Sequence, residues 1–150
     1  MTDNTQSYQP SEPNPGLRSL DRLVGTWKVS GPDIAGQVIF EWMDGGFFLL
    51  QHVDMIHGGN HIKGMEVIGY ERAFGATEPA ENVTSRFYSS TGETLDYTYE
   101  VDDETLTIWG GEKGSPAYYK GTWSEDGRVN SGSWAWPGGG YDSSMTKDEK

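Results

Sequence analysis

The chain has 150 residues, about one domain's worth, with 11 Lys+Arg against 23 Asp+Glu and a formal net charge of −12. It has no Cys, which excludes disulfide frameworks, thiolate metal sites and cysteine nucleophiles. A strongly negative chain with no basic stretch is a poor partner for nucleic acid or anionic membrane surfaces, and no apolar run approaches the ~18 residues of a spanning helix.

Residues 1–14 are polar and hold Pro10, Ser11 and Pro13, so they are expected to form a disordered arm ahead of a single domain over 15–150. Met1–Pro10 has neither a positive n-region nor an apolar h-region, and a cytoplasmic location is the expectation. On the same ground the sequon Asn82-Val83-Thr84 is read as chance. Asn14 suits an N-cap and Pro15 the first helical position. Leu17, Leu20 and Val24 recur at helical spacing, and Gly25 can end the element, so one short helix is predicted here.

Beyond Gly25 the punctuation changes to strand-like runs every 8–14 residues, about ten in all. They are Thr26–Gly31, Gly36–Met43, Phe47–Met55, Ile62–Glu71, Asn82–Ser89, Thr94–Val101, Thr105–Trp109, Ala117–Ser124, Val129–Trp136 and Tyr141–Lys147. Asp44-Gly45-Gly46, Thr91-Gly92, Asp102-Asp103 and Asp126-Gly127 supply hairpin turns, and the longest connector is Ala73–Glu81. With no helical period after Gly25 there is no βαβ crossover, so neighbouring strands should pair antiparallel.

Alternation assigns the faces. Leu95, Tyr97, Tyr99 and Val101 alternate with Asp96, Thr98 and Glu100; Val38, Phe40 and Trp42 alternate with Gln37 and Glu41. Short loops favour next-neighbour pairing, so an up-and-down antiparallel β-barrel is preferred over a sandwich, with the short helix closing one end. The inward set is rich in Phe40, Tyr97, Tyr99, Trp134 and Trp136, with Tyr70, Tyr88 and Tyr119 expected to join it. Tyr and Trp carry polar groups that need partners when buried, which points to a lumen holding water or an amphiphilic ligand. The alternative is that these rings simply fill the barrel.

The segment Leu20-Asp21-Arg22-Leu23-Val24-Gly25-Thr26-Trp27 resembles the opening of the calycin barrels, in which a short helix precedes a first strand beginning Gly-x-Trp. Trp42-Met43-Asp44-Gly45-Gly46-Phe47-Phe48-Leu49, Glu66-Val67-Ile68-Gly69-Tyr70-Glu71 and Ser124-Glu125-Asp126-Gly127 extend the resemblance to an uncharacterised bacterial lipocalin-like family, distantly similar to nitrobindin and fatty-acid-binding proteins, over about residues 17 to 147. The resemblance implies a calycin fold with a tryptophan under the barrel floor. Nitrobindin-like proteins hold haem through a histidine in the C-terminal part of the barrel. This chain has no His after His61, so haem is not expected, although Met145 or a tyrosine can in principle ligate iron.

Three histidines, His52, His57 and His61, fall within ten residues with Asp54 among them. Gly58-Gly59 rules out a helical pair; a hairpin can bring His52 and His61 together, but His57 and His61 read as solvent-facing loop residues and no metal site is assigned. His52 shares a face with Phe48 and Leu50, which makes it an acid–base candidate if that face is the lumen. Glu66 is the other candidate. It shares a face with Ile68 and Tyr70, where it would be a buried carboxylate paired with Arg86; if Met65 and Val67 face inward instead, it is a surface residue, and a one-residue slip decides which. Gly110–Ser115 lacks the Gly-Lys-Ser/Thr ending of a phosphate loop, and the acidic turn at Glu100–Glu104 offers at most loose Ca²⁺ binding.

The expected function is to bind a small hydrophobic or aromatic molecule in the lumen. Phe40, Trp42, Tyr97, Tyr99, Trp109, Trp134 and Trp136 would form the walls. His52, Glu66, Arg86 and the hydroxyls of Tyr70, Tyr88 and Tyr119 would orient the ligand. The alternatives are an isomerase or cyclase using His52 or Glu66 in the same cavity, and a structural or dimerisation barrel with a solid interior. No cofactor is expected, and the protein is expected to be a monomer or homodimer.

Overall fold

Short turns between segments of alternating polarity leave each strand only its chain neighbours as partners. In the computed structural model, which describes residues 12–148, this rule runs the whole way round. The strands are β1 Gly25–Gly31, β2 Ile34–Trp42, β3 Phe48–His57, β4 Asn60–Tyr70, β5 Val83–Ser89, β6 Thr94–Val101, β7 Thr105–Gly110, β8 Tyr118–Trp123, β9 Val129–Trp136 and β10 Gly139–Lys147. Each pairs antiparallel with the next, and β10 returns to β1 from Trp27↔Lys147 to Ser30↔Ser144. The result is a closed ten-stranded up-and-down barrel, not a sandwich. Most of the predicted arm at 1–14 lies outside the described residues.

The predicted helix is present, but it is a 3₁₀ helix over Pro15–Leu23. Asn14 caps it by accepting a hydrogen bond from the Gly16 N–H at 2.8 Å. A 3₁₀ helix has three residues per turn, so Leu17, Leu20 and Leu23 share one stripe, and all three are buried. Val24, assigned to that stripe on α-helical spacing, is the extended C-cap residue instead.

The helix plugs one end of the barrel against a tryptophan floor. Trp27 is fully buried and donates its indole N–H to the Leu23 carbonyl at 2.7 Å. Its ring lies 6.1 Å from Trp123. The Arg22 guanidinium sits 4.3 Å from the Trp123 ring centre, and Arg18 sits 5.4 Å from that of Trp42. Trp42 donates its indole N–H to Asp21 at 2.9 Å. The polar residues of Leu20-Asp21-Arg22-Leu23 therefore tie the helix to the floor while the leucines fill it.

At the opposite end, five hairpins ring the mouth. One of the three two-residue turns among them joins β3 to β4 through Gly58 and Gly59, at φ 59° and 82°. Positive φ at both central residues matches a type I′ turn, whose twist suits the flanking strands. It fixes the register at His57↔Asn60 and with it which residues of β3 and β4 face inward.

Barrel curvature brings β8 and β9 very close where Gly121 faces Gly132. A Cβ on Gly132 would collide with the Lys120 carbonyl oxygen. Among the described residues, no helix is long and apolar enough to cross a membrane. Gly132→Ala is expected to destabilise the barrel by about 1–3 kcal/mol through overpacking, measurable by urea unfolding; an unchanged midpoint would show that β8 and β9 can separate freely.

Candidate functional site

Between floor and mouth the inward side chains leave a cavity of about 260 Å³. Leu23, Phe40 and Leu106 line it toward the helix, and His57, Tyr141 and Ser143 belong to the strand ends near the mouth. Leu95 lines the cavity and is also 49% exposed, so the cavity opens to solvent there. None of its lining residues is Lys or Arg.

The register of β4 turns Glu66 inward. Glu66 lies opposite Gln51 on β3 and Phe87 on β5, it lines the cavity, and it is 4% exposed. Three neutral side chains converge on its carboxyl. Gln51 donates its amide N–H to Oε1 and Ser85 its hydroxyl to Oε2. The Tyr99 hydroxyl bridges both oxygens at 3.0 and 2.9 Å. Among the described residues, no cation touches it. Burial pushes the Glu66 pKa up, and the hydrogen bonds from Ser85, Tyr99 and Gln51 only partly oppose that rise. The Ser85 and Tyr99 hydroxyls can also accept a hydrogen bond, so the cluster satisfies the carboxyl in either protonation state.

Around this cluster the phenols are also perturbed. Burial, then the Glu66 charge, pushes Tyr97 up to about 12. Tyr99 is raised well above the usual phenol value by the same two causes. The Tyr119 hydroxyl is spent on Asn130 Oδ1 at 2.7 Å, which leaves the Tyr119 ring as wall. By contrast, the side chains of His57, Tyr97, Tyr141 and Ser143 line the cavity without a hydrogen bond to any other described residue. The His57 ring packs on Tyr141 with centroids 4.4 Å apart. A ligand would therefore meet an apolar inner part, a carboxyl cluster on the wall and several free polar groups.

Of the residues singled out in the sequence, Phe40, Glu66, Tyr97, Tyr99, Tyr119 and Trp134 stand on the cavity wall. Others are placed elsewhere. His52 is on the outer wall, hydrogen-bonded to Glu41 at 2.8 Å, because the inward face of β3 is Leu49, Gln51, Val53, Met55 and His57. Arg86 is also outside, in an ion pair with Asp96 at 2.7 Å, and is not the partner of Glu66. Tyr88 is 47% exposed beside it. Trp109 faces outward under Lys113, since its neighbour Ile108 takes the inward position. Trp42 and Tyr70 point inward but below the cavity, packed against the core at the floor. Trp136 is 44% exposed at the rim, its ring 6.0 Å from Tyr141.

Gln51, Ser85 and Tyr141 were not singled out, yet they complete the site together with His57, which is not the solvent-facing loop residue expected but the last residue of β3, on the inward face. The three histidines do not converge. His61 pairs outside with Asp54 at 2.6 Å, and His57 points the other way. Among the described residues there is no grouping of His, Asp and Glu able to hold a metal ion. In the acidic turn the Asp102 carboxylate is occupied by the N–H groups of Glu104 and Thr105, each at 2.8 Å. Nor does the cavity fit haem. Drug-sized ligands occupy ~300–1,000 Å³, and about 260 Å³ does not take a tetrapyrrole.

Neither a protein-family model nor a curated protein matches the chain. The site is therefore interpreted from its own geometry. A carboxyl whose pKa is raised in the folded state binds its proton more tightly there than in the unfolded chain. Stability from protonated Glu66 is thus complete below the ordinary value of 4.5 and is lost as pH rises toward the folded value. Glu66→Gln keeps the shape and never ionises, so it should gain stability relative to wild type as pH is raised from 4.5. Urea unfolding of both proteins across pH checks this; a difference that stays flat would mean that Glu66 titrates alike in both states.

Proposed function

We propose that the chain is a calycin-like barrel that binds a small aromatic or otherwise apolar molecule in its lumen, oriented by one polar group. The observation that carries this reading is the Glu66 cluster: a buried carboxyl, held by three neutral donors, on the wall of a largely apolar cavity open at one end. A barrel serving only as a scaffold would gain more from a hydrocarbon side chain at this position, because burying an ionisable group costs free energy. An apolar protein cavity of ~150 Å³ accepts benzene, so about 260 Å³ suits a molecule of one or two rings. Phe40, Tyr97 and Trp134 supply aromatic surface, and His57, Tyr141 and Ser143 supply polar contacts toward the mouth.

A second reading rests on the same carboxyl. With its pKa raised above the ordinary carboxyl value, Glu66 is suited to accept and return a proton, as an isomerase or cyclase would require. His52 takes no part in that reading, since it lies on the outer wall. Recovery of bound molecules unchanged after incubation separates carrier from enzyme. Both readings place the protein in the cytoplasm, acting as a monomer or homodimer on a small molecule, without nucleic acid or membrane as partner.

Naphthalene-2-methanol, a neutral two-ring alcohol, is expected to bind one per chain by calorimetry and to shift the Trp134 indole N–H in NMR spectra. Ile62→Trp, which fills the cavity from β4, should weaken this binding about tenfold or more while the dispersed spectrum of the fold persists. Absence of both heat and shifts with the wild-type protein would sink the lumen-binding reading.

A further inference from the structure

The cavity is asymmetric in charge as well as polarity. Its wall carries a carboxyl and no Lys or Arg. Five of the basic groups on the barrel ends and walls are engaged away from it: Arg18, Arg22 and Lys147 lie over tryptophan rings of the floor, and Arg86 and Lys113 pair with Asp96 and Glu100 outside. The whole chain carries −12, which favours the approach of cations over anions.

Glu66 also retains capacity. An ionised carboxylate offers about four lone-pair sites, and Gln51, Ser85 and Tyr99 supply three donor groups. The single Tyr99 proton is shared between both oxygens, so three protons serve four sites, and Glu66 lines the cavity, from which a further donor can come. The rings of Phe40, Tyr97 and Trp134 stand on the same cavity wall, and aromatic faces attract a desolvated ammonium. A carboxylic acid ligand would instead face Glu66 with no counter-charge.

Resting on the lumen-binding reading, we propose that the ligand class is an aromatic or alkyl amine, bound as its ammonium with the nitrogen donating to the Glu66 carboxylate. Burial raises the Glu66 pKa, and an ammonium beside it favours the ionised form, so the ligand supplies the counter-charge that the neutral donors do not. Fatty acids and other carboxylates of the same shape are rejected.

The test is an isosteric series on the wild-type protein at neutral pH: 2-naphthylmethylamine, naphthalene-2-methanol and 2-naphthoate, titrated by calorimetry. The amine should bind about tenfold or more tighter than the alcohol, and 2-naphthoate more weakly than either. Glu66→Gln should abolish the preference for amine while still binding the alcohol. If alcohol and amine bind equally, or if naphthoate binds best, the amine assignment is overturned and lumen binding stands. If none of the three binds, both fall. The wild-type series needs no variant, so a Glu66→Gln protein that failed to fold would not blunt the test. A preference for amine that survived in a folded Glu66→Gln barrel would overturn the role of Glu66.

Discussion

The pairing of β1 with β10 is the constraint on which the rest of the molecule depends. Four register pairs, Trp27↔Lys147 to Ser30↔Ser144, turn a ladder of hairpins into a ring. Closure removes both sheet edges and commits one side chain in two on every strand to a common interior. Whatever lies on that face must then fill the lumen, hydrogen-bond within it or line a void. The floor shows the first outcome, with Trp27, Trp123 and three leucines of the 3₁₀ helix packed solid. The centre shows the other two, with Glu66 and its donors beside the cavity. Filling one end and not the other gives the barrel a direction.

Much of this architecture was legible in the chain. Alternation such as Leu95-Asp96-Tyr97-Thr98-Tyr99 has one polar face and allows one orientation only, and the structure places Tyr97 and Tyr99 inward. The cap Asn14 and the leucines behind it likewise marked the helix, because capping and burial are local properties. The type of helix was not local. Leu17, Leu20 and Leu23 fit a period of three, whereas Leu17, Leu20 and Val24 fit α-helical spacing, and only packing against Trp27 selects between them.

The site was half legible, for a related reason. Phe48-Leu49-Leu50-Gln51-His52-Val53 is apolar on both faces, so alternation cannot tell Leu49 from Leu50 as the inward residue. The choice moves every side chain of β3: one register aims His52 into the lumen, the other aims Gln51 and His57 there. The Gly58-Gly59 turn and the pairing Gln51↔Glu66 establish the second. A donor amide directly opposite a carboxyl across two adjacent strands was the available signal. Arg86 is the converse case. Its sequence neighbourhood offers both a carboxylate to reach inside and Asp96 directly opposite outside. Pairing in water avoids the desolvation that pairing in the lumen would demand.

That last choice explains the character of the cavity. Had Arg86 turned inward, it would have neutralised Glu66 and formed a buried ion pair, useful to the fold and closed to a ligand. With Arg86 outside, the Glu66 carboxyl is served only by an amide and two hydroxyls, which orient it without cancelling its charge. Burial raises its pKa, and the same hydroxyls satisfy the protonated form by reversing. A group held in this way has hydrogen-bond partners in two states that differ by one charge, and a charged molecule placed beside it would favour one of them. Low local dielectric strengthens that dependence, since a nearby charge is felt far more strongly there than in water. On the proposed reading, the barrel converts a feature that costs stability into one that discriminates among molecules of equal size by their charge.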